Sequence, residues 1–310
     1  MQKINKFEQK LQVLCTLFKN FELSKISTIK IGGKARYYAQ VHSIKNLRKI
    51  IVLCTDFKVK FFVVGNCSNI LFLDGGFDGV VVSLCGLKTV KISANVVYAQ
   101  AGTSLASLAQ IALKNNLSGL EWSVGIPASV GGAVAMNAGA FNGDVCSVLQ
   151  SVDALNVNTL EIENFDNLEY LGKYHQSVFT NNKNYVILSA KFALCPKPHE
   201  QILARMHEVA GVRAERQNVG FPSLGSVFCR GNSEFAPAFY IEQLGLKGFC
   251  IGGAQVSKVH SGYIVNCGGA TAKDVLRLVK HIKDLVFLRY KVKLETEILV
   301  VGEDNGHKWI

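Results

Sequence analysis

The stretch from Gly125 to Ala140 has the composition best suited to binding chemistry. It reads Gly-Ile-Pro-Ala-Ser-Val-Gly-Gly-Ala-Val-Ala-Met-Asn-Ala-Gly-Ala and contains no acidic, basic or aromatic side chain. Glycine allows positive φ and close approach of the backbone to another body, so this stretch offers main-chain N–H groups rather than side chains. N–H groups that converge in a turn or at a helix start suit an anion such as a pyrophosphate. The alternative is a tight corner between core elements.

A second stretch of the same character lies about sixty residues earlier in the chain, at Gly65-Asn66-Cys67-Ser68-Asn69. It follows the apolar run 60–65, which predicts a strand, and it is rich in small residues with polar donors. Both stretches could serve one elongated anionic ligand. The chain has no Gly-x-Gly-x-x-Gly after a strand, no Walker loop, no His-Glu-x-x-His and no Gly-x-Ser-x-Gly, so the sites that those motifs mark are unsupported.

The charge balance also favours an anionic ligand. The 310 residues carry a formal net charge of +11, with 49% hydrophobic and 18% charged residues, which is typical of a globular protein of two or three domains. No dense basic run is interleaved with aromatic residues. A phosphate-bearing small molecule therefore explains the charge better than nucleic acid, although a basic nucleic-acid binder stays open as an alternative.

The nine cysteines contain no Cys-x-x-Cys pair, and several lie in apolar runs. This pattern predicts buried thiols in a reducing compartment, without disulfides and without a metal site. Charged residues interrupt the N-terminal segment, and no apolar run reaches the ~20 residues that a membrane span needs. We therefore expect a cytoplasmic protein that does not insert into a membrane.

Hydrophobic periodicity predicts the elements that must position the two stretches. An amphipathic helix is expected at 1–24, and Ser43 and Thr103 are the expected N-caps of the next two helices. Helices are also expected at 199–216 and after Thr271, where Thr271-x-x-Asp274 forms a capping box. The expected strands, listed in chain order, are 60–65, 70–73, 80–84, 96–101, 148–155, 185–192 and 291–301. Cys195-Pro-Lys-Pro198 is typical of a domain boundary.

These motifs together resemble the UDP-N-acetylenolpyruvoylglucosamine reductase family, over roughly residues 25–302. The matching motifs, in the same order as in the family, are Ile31-Gly-Gly33, Gly65-Asn-Cys-Ser-Asn-Ile-Leu71, Asp74-Gly-Gly-Phe77, Gly125-Ile-Pro127 through Met136-Asn-Ala-Gly-Ala140, Pro222-Ser-Leu-Gly-Ser-Val-Phe228, Gly245-Leu-Lys-Gly248, Gly252-Gly-Ala-Gln-Val-Ser257, His260 and Leu294-Glu-Thr-Glu297. The short connection between Leu244 and Val256 resembles the shorter subtype of the family.

The resemblance implies an α+β fold. A two-lobed FAD-binding domain of the vanillyl-alcohol-oxidase (PCMH) type would occupy residues 25–198, with lobes at about 25–86 and 87–198. A smaller α+β substrate-binding domain would follow at 199–302, and residues 303–310 would form a tail. The implied reaction is reduction of the enolpyruvyl group of a UDP-linked amino sugar, with non-covalent FAD as cofactor and NADPH as co-substrate, to give UDP-N-acetylmuramate for peptidoglycan synthesis. The oligomeric state stays open.

The same resemblance implies the site residues. The cofactor-binding residues would be Ile31, Gly32, Gly33, Gly65, Asn66, Cys67, Ser68, Asn69, Gly125, Ile126, Pro127, Ala128, Ser129, Gly131, Gly132, Ala133, Asn137, Ala138 and Gly139. The substrate-binding residues would be Tyr174, Arg213, Arg216, Gln217, Gln255, His260 and Asn266. For Arg213 and Arg216, which could hold the uridine diphosphate, the alternative is a solvated helix face.

Two further residues match the catalytic positions of the family. Ser226 matches the proton donor to the substrate carbon, and Glu297 matches the glutamate near the substrate carboxylate. The alternative for Ser226 is a turn serine that hydrogen-bonds its own backbone. The alternative for Glu297 is a surface ion pair with Lys293 on the same face of the predicted strand.

The match fails at one catalytic position. His175, in Tyr174-His-Gln-Ser177, stands where the family has an arginine that stabilises the enolate. Arginine is permanently charged, whereas histidine is charged only below about pH 6.5 unless its pKa is shifted. We expect His175 to be protonated when substrate binds. A flavoprotein of the same fold with another substrate and a non-catalytic nucleotide-sugar binding protein remain the alternatives.

Overall fold

The computed structural model describes residues 2–166, 176–180, 182–217, 219–229 and 233–303. The chain forms two compact units, and each is made from separate segments of sequence. Unit 1 comprises Met1–Phe18, Tyr37–Asn66 and Gly79–Arg213, and unit 2 comprises Lys19–Arg36, Cys67–Asp78 and Ala214–Ile310.

The helices and strands are as follows. The helices are α1 (Gln2–Leu14), α2 (Ile44–Phe57), α3 (Leu105–Lys114), α4 (Val130–Ala135), α5 (His199–Gln217), α6 (Pro237–Gln243) and α7 (Ala272–Tyr290). The strands are β1 (Thr16–Glu22), β2 (Lys34–Gln40), β3 (Lys60–Val64), β4 (Ile70–Phe72), β5 (Phe77–Ser83), β6 (Val90–Ser93), β7 (Val96–Gln100), β8 (Leu117–Ser118), β9 (Gly139–Ala140), β10 (Gly143–Asp144), β11 (Leu149–Asn156), β12 (Ile162–Phe165), β13 (Tyr185–Ala193), β14 (Cys195–Pro196), β15 (Ser223–Ser226), β16 (Phe228–Cys229), β17 (Cys250–Ile251), β18 (Ala254–Val256), β19 (Tyr263–Asn266), β20 (Glu295–Thr296) and β21 (Leu299–Val301).

Unit 1 is built on a five-stranded sheet with the order β12-β11-β13-β7-β6, in which every pair is antiparallel. In this unit β3 also pairs in parallel with the 79–83 part of β5. The helix α2 begins after Ser43, whose side chain accepts from the N–H of Asn46, as the sequence predicted. Its residues Leu47, Ile50, Ile51 and Cys54 are buried, which confirms the predicted apolar stripe.

Unit 2 has its own core around α7 and a four-stranded sheet with the order β15-β19-β18-β17. The predicted capping box is present, because the side chain of Thr271 accepts from the N–H of Asp274 and the Asp274 carboxylate accepts from the N–H of Thr271. Asp74 adds a second cap, since its two carboxylate oxygens accept from the N–H groups of Ala272 and Lys273. The first N–H groups of α7 therefore have acceptors from both Asp74 and Thr271.

Two predicted elements are wrong in extent. The N-terminal helix ends at Leu14, and residues 16–22 form β1 instead of completing a helix to residue 24. Aromatic residues in 16–22 favour an extended chain. The predicted strand at 291–301 is broken, because α7 runs to Tyr290 and Lys291 ends it in the left-handed conformation with φ 58°. Only β20 and β21 remain of that strand.

The cysteines are less buried than predicted. All nine are free thiols, but only Cys54 and Cys67 are fully buried, and Cys195, Cys250 and Cys267 are exposed. Burial raises the pKa of Cys15 to about 11 and that of Cys54 to about 12, so both stay protonated at neutral pH. Within the described part of the chain, no helix combines the length and apolarity that a membrane crossing requires.

Candidate active site

In unit 1 the two glycine-rich stretches meet. The side-chain amide of Asn66 donates to the carbonyl of Pro127 at 3.2 Å. A Cβ atom built on Gly65 would lie 2.1 Å from the Ser129 Oγ, so a larger residue at position 65 would have to displace the Ser129 hydroxyl. The turn after β3 and the turn before α4 are therefore in direct contact, as a single elongated ligand at both turns requires.

Most N–H groups at the start of α4 are already used within the protein. Those of Val130 and Gly131 donate to the carbonyls of Thr103 and Ala101, and that of Gly132 donates to the Ser129 Oγ at 3.2 Å. The N–H of Ala133 donates to the Ser129 carbonyl. Since these groups are satisfied, they are not available to an anion in this conformation.

The unsatisfied donors lie one step earlier in the chain. Among the residues that the structure describes, the main-chain N–H groups of Asn66, Ala128 and Ser129 donate to no acceptor. We call these three groups the amide cluster. The buried hydroxyl of Thr103, beside the same helix start, also has no partner among the described residues. Unpaired donors at the contact of two turns, on half-buried Asn66 and on buried Ala128, Ser129 and Thr103, suit a diphosphate, so the residues present fit FAD.

Thr103 is a residue of this site that the sequence analysis did not identify. It was expected to cap α3, but Ser104 is the N-cap and its side chain accepts from the N–H of Ser107. Two consecutive hydroxyl residues before a helix leave one of them available for another partner, and that was the signal in the sequence.

The remaining glycines of the predicted cofactor site are explained by contacts within the protein. The Cβ atom of an alanine would meet the Arg213 side chain from Gly125, the Ala101 side chain from Gly131 and the Asp144 side chain from Gly139. In unit 2, a Cβ on Gly32 would meet the side chain of Phe72, and one on Gly33 would meet the carbonyl of Asp74. These glycines allow close packing between segments, whereas Gly132 has only the Ser129 Oγ at 3.4 Å.

Several other predicted cofactor residues hold the turn before α4 and the segment after it. Asn137 is buried with φ 42°, and its side-chain oxygen accepts from the N–H of Cys146 at 2.9 Å. The N–H groups of Ile126 and Ala138 donate to the carbonyls of Ser123 and Ala133. In unit 2, Ile31 is buried in the core, Cys67 is buried with φ 53°, and Ser68 is half-buried. Asn69 contacts the segment that contains Glu297.

Unit 2 brings the two predicted catalytic residues together. Ser226 ends β15, and the next residue, Val227, accepts through its carbonyl from the N–H of Glu297 at 3.0 Å. The pairing of β16 with β20 continues this contact, with Phe228 opposite Thr296. We call Ser226, Val227 and Glu297 the acid junction. Both Ser226 and Glu297 are half-buried, and the catalytic roles of their side chains stay predictions.

The Ser226 hydroxyl is only weakly engaged by its own backbone. Its contact to the carbonyl of Phe228 is 3.5 Å long, at the limit of a hydrogen bond. Gly225 before it has φ 77°, and a Cβ built there would meet nothing within 4 Å. The glycine is therefore needed for backbone conformation, and the space beside Ser226 is open.

The predicted substrate-binding residues of unit 2 have structural partners. The Asn266 amide nitrogen donates to the carbonyl of Ile29, and its oxygen accepts from the N–H groups of Gly268 and Ala270. The Gln255 amide nitrogen donates to the carbonyl of Gly248 at 3.2 Å. Their substrate-binding roles stay predictions.

His260 lies in the turn before β19. Its Nδ1 accepts from the N–H of Gly262 at 3.2 Å, and its ring packs at 4.5 Å from that of Tyr263, which pairs with Ser226. Burial lowers the pKa of His260, so the imidazole is neutral at pH 7. This places a neutral imidazole in the turn that leads into the strand beside Ser226.

The predicted diphosphate-binding arginines lie near the end of α5. Arg216 is exposed, and Gln217 is half-buried. The Arg213 guanidinium lies 5.0 Å from the centre of the Phe141 ring, a cation–π contact that fixes its direction. Tyr174 and His175 lie outside the described residues, so their predicted roles stay predictions.

Comparison with known proteins shows which family the chain belongs to. Residues 35–161 match the sequence profile of an FAD-binding domain, and residues 217–301 match that of the UDP-N-acetylenolpyruvoylglucosamine reductase C-terminal domain. The chain is 39% identical over 291 residues to the UDP-N-acetylenolpyruvoylglucosamine reductase of Clostridium botulinum strain Hall, with 92% of each chain covered. It is 41% identical over 275 residues to that of Clostridium beijerinckii, with 89% of this chain and 90% of the relative covered.

A solved structure extends the likeness to three dimensions. The UDP-N-acetylenolpyruvylglucosamine reductase (MurB) from Thermus caldophilus is similar with a TM-score of 0.77 and 31% sequence identity, covering 90% of this chain and 97% of that one. The α+β fold, with an FAD-binding domain followed by the reductase C-terminal domain, is thereby confirmed. The fold and the matched FAD-binding and reductase domains define an FAD-dependent oxidoreductase. The chain belongs to the UDP-N-acetylenolpyruvoylglucosamine reductase family.

Proposed function

We propose that this protein reduces the enolpyruvyl ether of UDP-N-acetyl-3-O-(1-carboxyvinyl)-glucosamine, with NADPH as the electron source, to give UDP-N-acetylmuramate for peptidoglycan synthesis. The observation that supports this function best is the acid junction, in which the peptide of Glu297 is hydrogen-bonded to the residue that follows Ser226. The chemistry of the substrate requires such a pair. When FAD is bound and reduced by NADPH, it would supply the hydride that the methylene carbon of the enol ether needs.

The protein must then handle the charge and the proton. Hydride addition leaves an electron pair on the carbon that bears the carboxylate, delocalised as an enolate-like charge. We assign Ser226 as the donor whose Oγ–H gives a proton to that carbon, and Glu297 as the glutamate that lies near the substrate carboxylate. The weak contact between the Ser226 hydroxyl and its own backbone supports this role, because it leaves the proton available.

The amide cluster is the proposed site of the FAD diphosphate. Its three N–H groups point to no acceptor among the described residues, and the contact of the two turns holds them together. Converging N–H groups bind a diphosphate without any basic side chain. The other cofactor-binding residues that the sequence indicates stay predictions. The division into domains at 25–198 and 199–302 is part of the same proposal.

A single assay tests the function. The purified holoenzyme is mixed with NADPH, and NADPH absorbance is followed with and without the enolpyruvyl UDP-sugar. We expect oxidation that depends on this substrate. A bound flavin that NADPH reduces without any effect of the UDP-sugar would indicate a flavoprotein with another substrate. Binding of the UDP-sugar without NADPH oxidation would indicate a non-catalytic binding protein.

His175 has a place in this proposal that is argued from the sequence. The substrate carboxylate, and Glu297 if it is near, would raise the histidine pKa and keep the ring charged while substrate is bound. We expect activity to fall as pH rises above that pKa and His175→Arg to remove the fall. Activity that stays flat up to about pH 9 and is unchanged in His175→Gln would contradict this role.

The proposal includes a cytoplasmic location. NADPH and a UDP-sugar are intracellular metabolites, and nine free thiols suit a reducing compartment. Fractionation of cells, with activity measured in the soluble and membrane fractions, tests the location. Activity recovered with the membranes after a salt wash would contradict it.

A further inference from the structure

The side chain of Asn69 reaches the acid junction. Its amide nitrogen donates to the main-chain carbonyl of Glu297 at 2.8 Å, across 228 residues of sequence. The Asn69 carbonyl accepts from the N–H of Leu299 at 2.9 Å. The two bonds hold the chain on either side of Ile298, and they begin the parallel pairing in which Leu299 lies opposite Ile70.

The peptide groups of Glu297 are consequently bonded on both sides. Its N–H donates to the Val227 carbonyl, and its carbonyl accepts from Asn69. Ile298, the next residue, is buried in the core of unit 2. Ile298 lies at a bend between β20 and β21, so its burial anchors the chain immediately after Glu297.

Only a short carboxamide does this well. Aspartate has the same size, but its carboxylate would face the Glu297 carbonyl with an acceptor instead of a donor. Alanine would remove the donor and leave a half-buried carbonyl without its partner. From its position in the Gly65–Asn69 stretch, the sequence assigned Asn69 to the cofactor, but its side-chain amide is bonded to the Glu297 peptide.

We propose that Asn69 is a positioning residue for Glu297, which it holds in register with Ser226. The proposal rests on the proposed function, because it takes Glu297 as the group that meets the substrate carboxylate. A displacement of about 1 Å at a reacting group can lower a rate about a hundredfold. Asn69 therefore contributes to turnover through Glu297, and its side chain is not a ligand of the cofactor.

The test is a double-mutant cycle in the holoenzyme, with Asn69→Asp, Glu297→Gln and the combined variant. We expect Asn69→Asp to lower kcat roughly ten- to a hundredfold and to change the flavin Kd by less than about threefold. In the Glu297→Gln background, the same change should lower kcat no further, because both substitutions act on one group. Asn46→Ala is the matched control, since its amide also donates to a main-chain carbonyl, that of Leu14, at 2.9 Å in unit 1.

Three results would overturn the proposal. The first is loss of flavin from Asn69→Asp with normal turnover of the molecules that retain it. The second is a full additional loss of kcat in the combined variant. The third is an equal loss of kcat in Asn46→Ala. If the wild-type protein shows no turnover, the proposed function fails, and hydrogen exchange then decides the positioning role. Faster exchange of the Glu297 amide in Asn69→Asp would support the role, and unchanged exchange would exclude it.

Discussion

The amide cluster of unit 1 and the acid junction of unit 2 use main-chain groups and side chains in opposite ways. In the amide cluster, main-chain N–H groups of Asn66, Ala128 and Ser129 are proposed to bind the cofactor, and tightly packed small residues hold them. In the acid junction, the side chains of Ser226 and Glu297 are proposed to provide the chemistry, and main-chain hydrogen bonds hold the segments that carry them.

This difference determines how each region tolerates substitution. A change of side chain at the acid junction can remove a reacting group and leave the supporting hydrogen bonds intact. An added side chain in the amide cluster must separate the two turns, so it should affect stability and cofactor affinity together. The regions can therefore be distinguished by which measured quantities change together.

The largest effect is expected from Ser226→Ala. Because loss of a proton donor typically lowers rates by about 10²–10⁴, we expect kcat to fall by that factor. Flavin content and thermal midpoint should stay close to those of the wild type, since the Ser226 hydroxyl makes only a 3.5 Å contact within the protein. Ser223→Ala is the control, because Ser223 lies in the same strand and accepts only from the N–H of Gly225. Equal losses in the two variants would contradict the assignment of Ser226.

Gly65→Ala tests the amide cluster, the other region in the comparison. Its Cβ would lie 2.1 Å from the Ser129 Oγ, so the turns must separate. We expect a loss of about 1–3 kcal/mol in the free energy of unfolding, measured by urea denaturation. The flavin Kd, measured by quenching of flavin fluorescence, should rise about tenfold or more, since every 1.4 kcal/mol is a factor of ten.

The control for Gly65→Ala is Gly211→Ala. Gly211 lies inside α5, and a Cβ built there would meet nothing within 4 Å. Replacing glycine by alanine within a helix should stabilise the protein by about 0.5–1 kcal/mol and leave the flavin Kd unchanged. If Gly65→Ala were as well tolerated as Gly211→Ala, the contact between the two turns would not be what holds the amide cluster.

His260 offers a pH-dependent test within unit 2. Burial lowers its pKa in the folded state, with the charge of Lys247 adding to the shift and that of Glu242 opposing it. The unfolded chain then binds a proton more readily, so the stabilising contribution is complete above about pH 6.5 and is lost as the pH falls from there through the lower pKa of the folded state. The slope contributed by this group is at most about 1.4 kcal/mol per pH unit.

The measurement compares His260→Gln with the wild type by urea unfolding at about pH 7.5 and about pH 5.5, which lie on either side of the unfolded-state pKa. We expect the free energy of unfolding to fall less in the variant than in the wild type. The difference between the two proteins isolates His260 from the other titrating groups. An equal decrease in both proteins would show that His260 binds protons equally well when folded.

Local signals in the sequence were sufficient for much of the fold. The Ser43 cap, the Thr271–Asp274 capping box and the apolar stripe of α2 depend on residues a few positions apart, and all three are confirmed. The strand at 16–22 was missed, because its aromatic residues also fit the helical period that continues from α1. Where one segment fits both a helical and a strand pattern, tertiary contacts determine which of the two it forms.

The site required information that no local pattern contains. The spacing of glycines indicated close approach of the backbone, but it could not tell that Gly65 packs on Ser129 and Gly33 on Asp74. The bond between Asn69 and Glu297 spans 228 residues. Which N–H groups stay unpaired depends on all the acceptors around them, so the amide cluster could be recognised only after every partner was known.

Gly132→Ala should have the smallest effect and therefore sharpens the comparison most. Gly132 belongs to the same glycine-rich stretch as Ser129, but its N–H already donates to the Ser129 Oγ, and a Cβ there would only touch that atom at 3.4 Å. If unpaired N–H groups grip the cofactor, Gly132→Ala should change the flavin Kd less than about threefold, under 1 kcal/mol. A tenfold loss of affinity in Gly132→Ala would mean instead that the cofactor lies against Gly132 itself. The binding surface would then be the small side chains of α4 and not the unpaired amides that precede it.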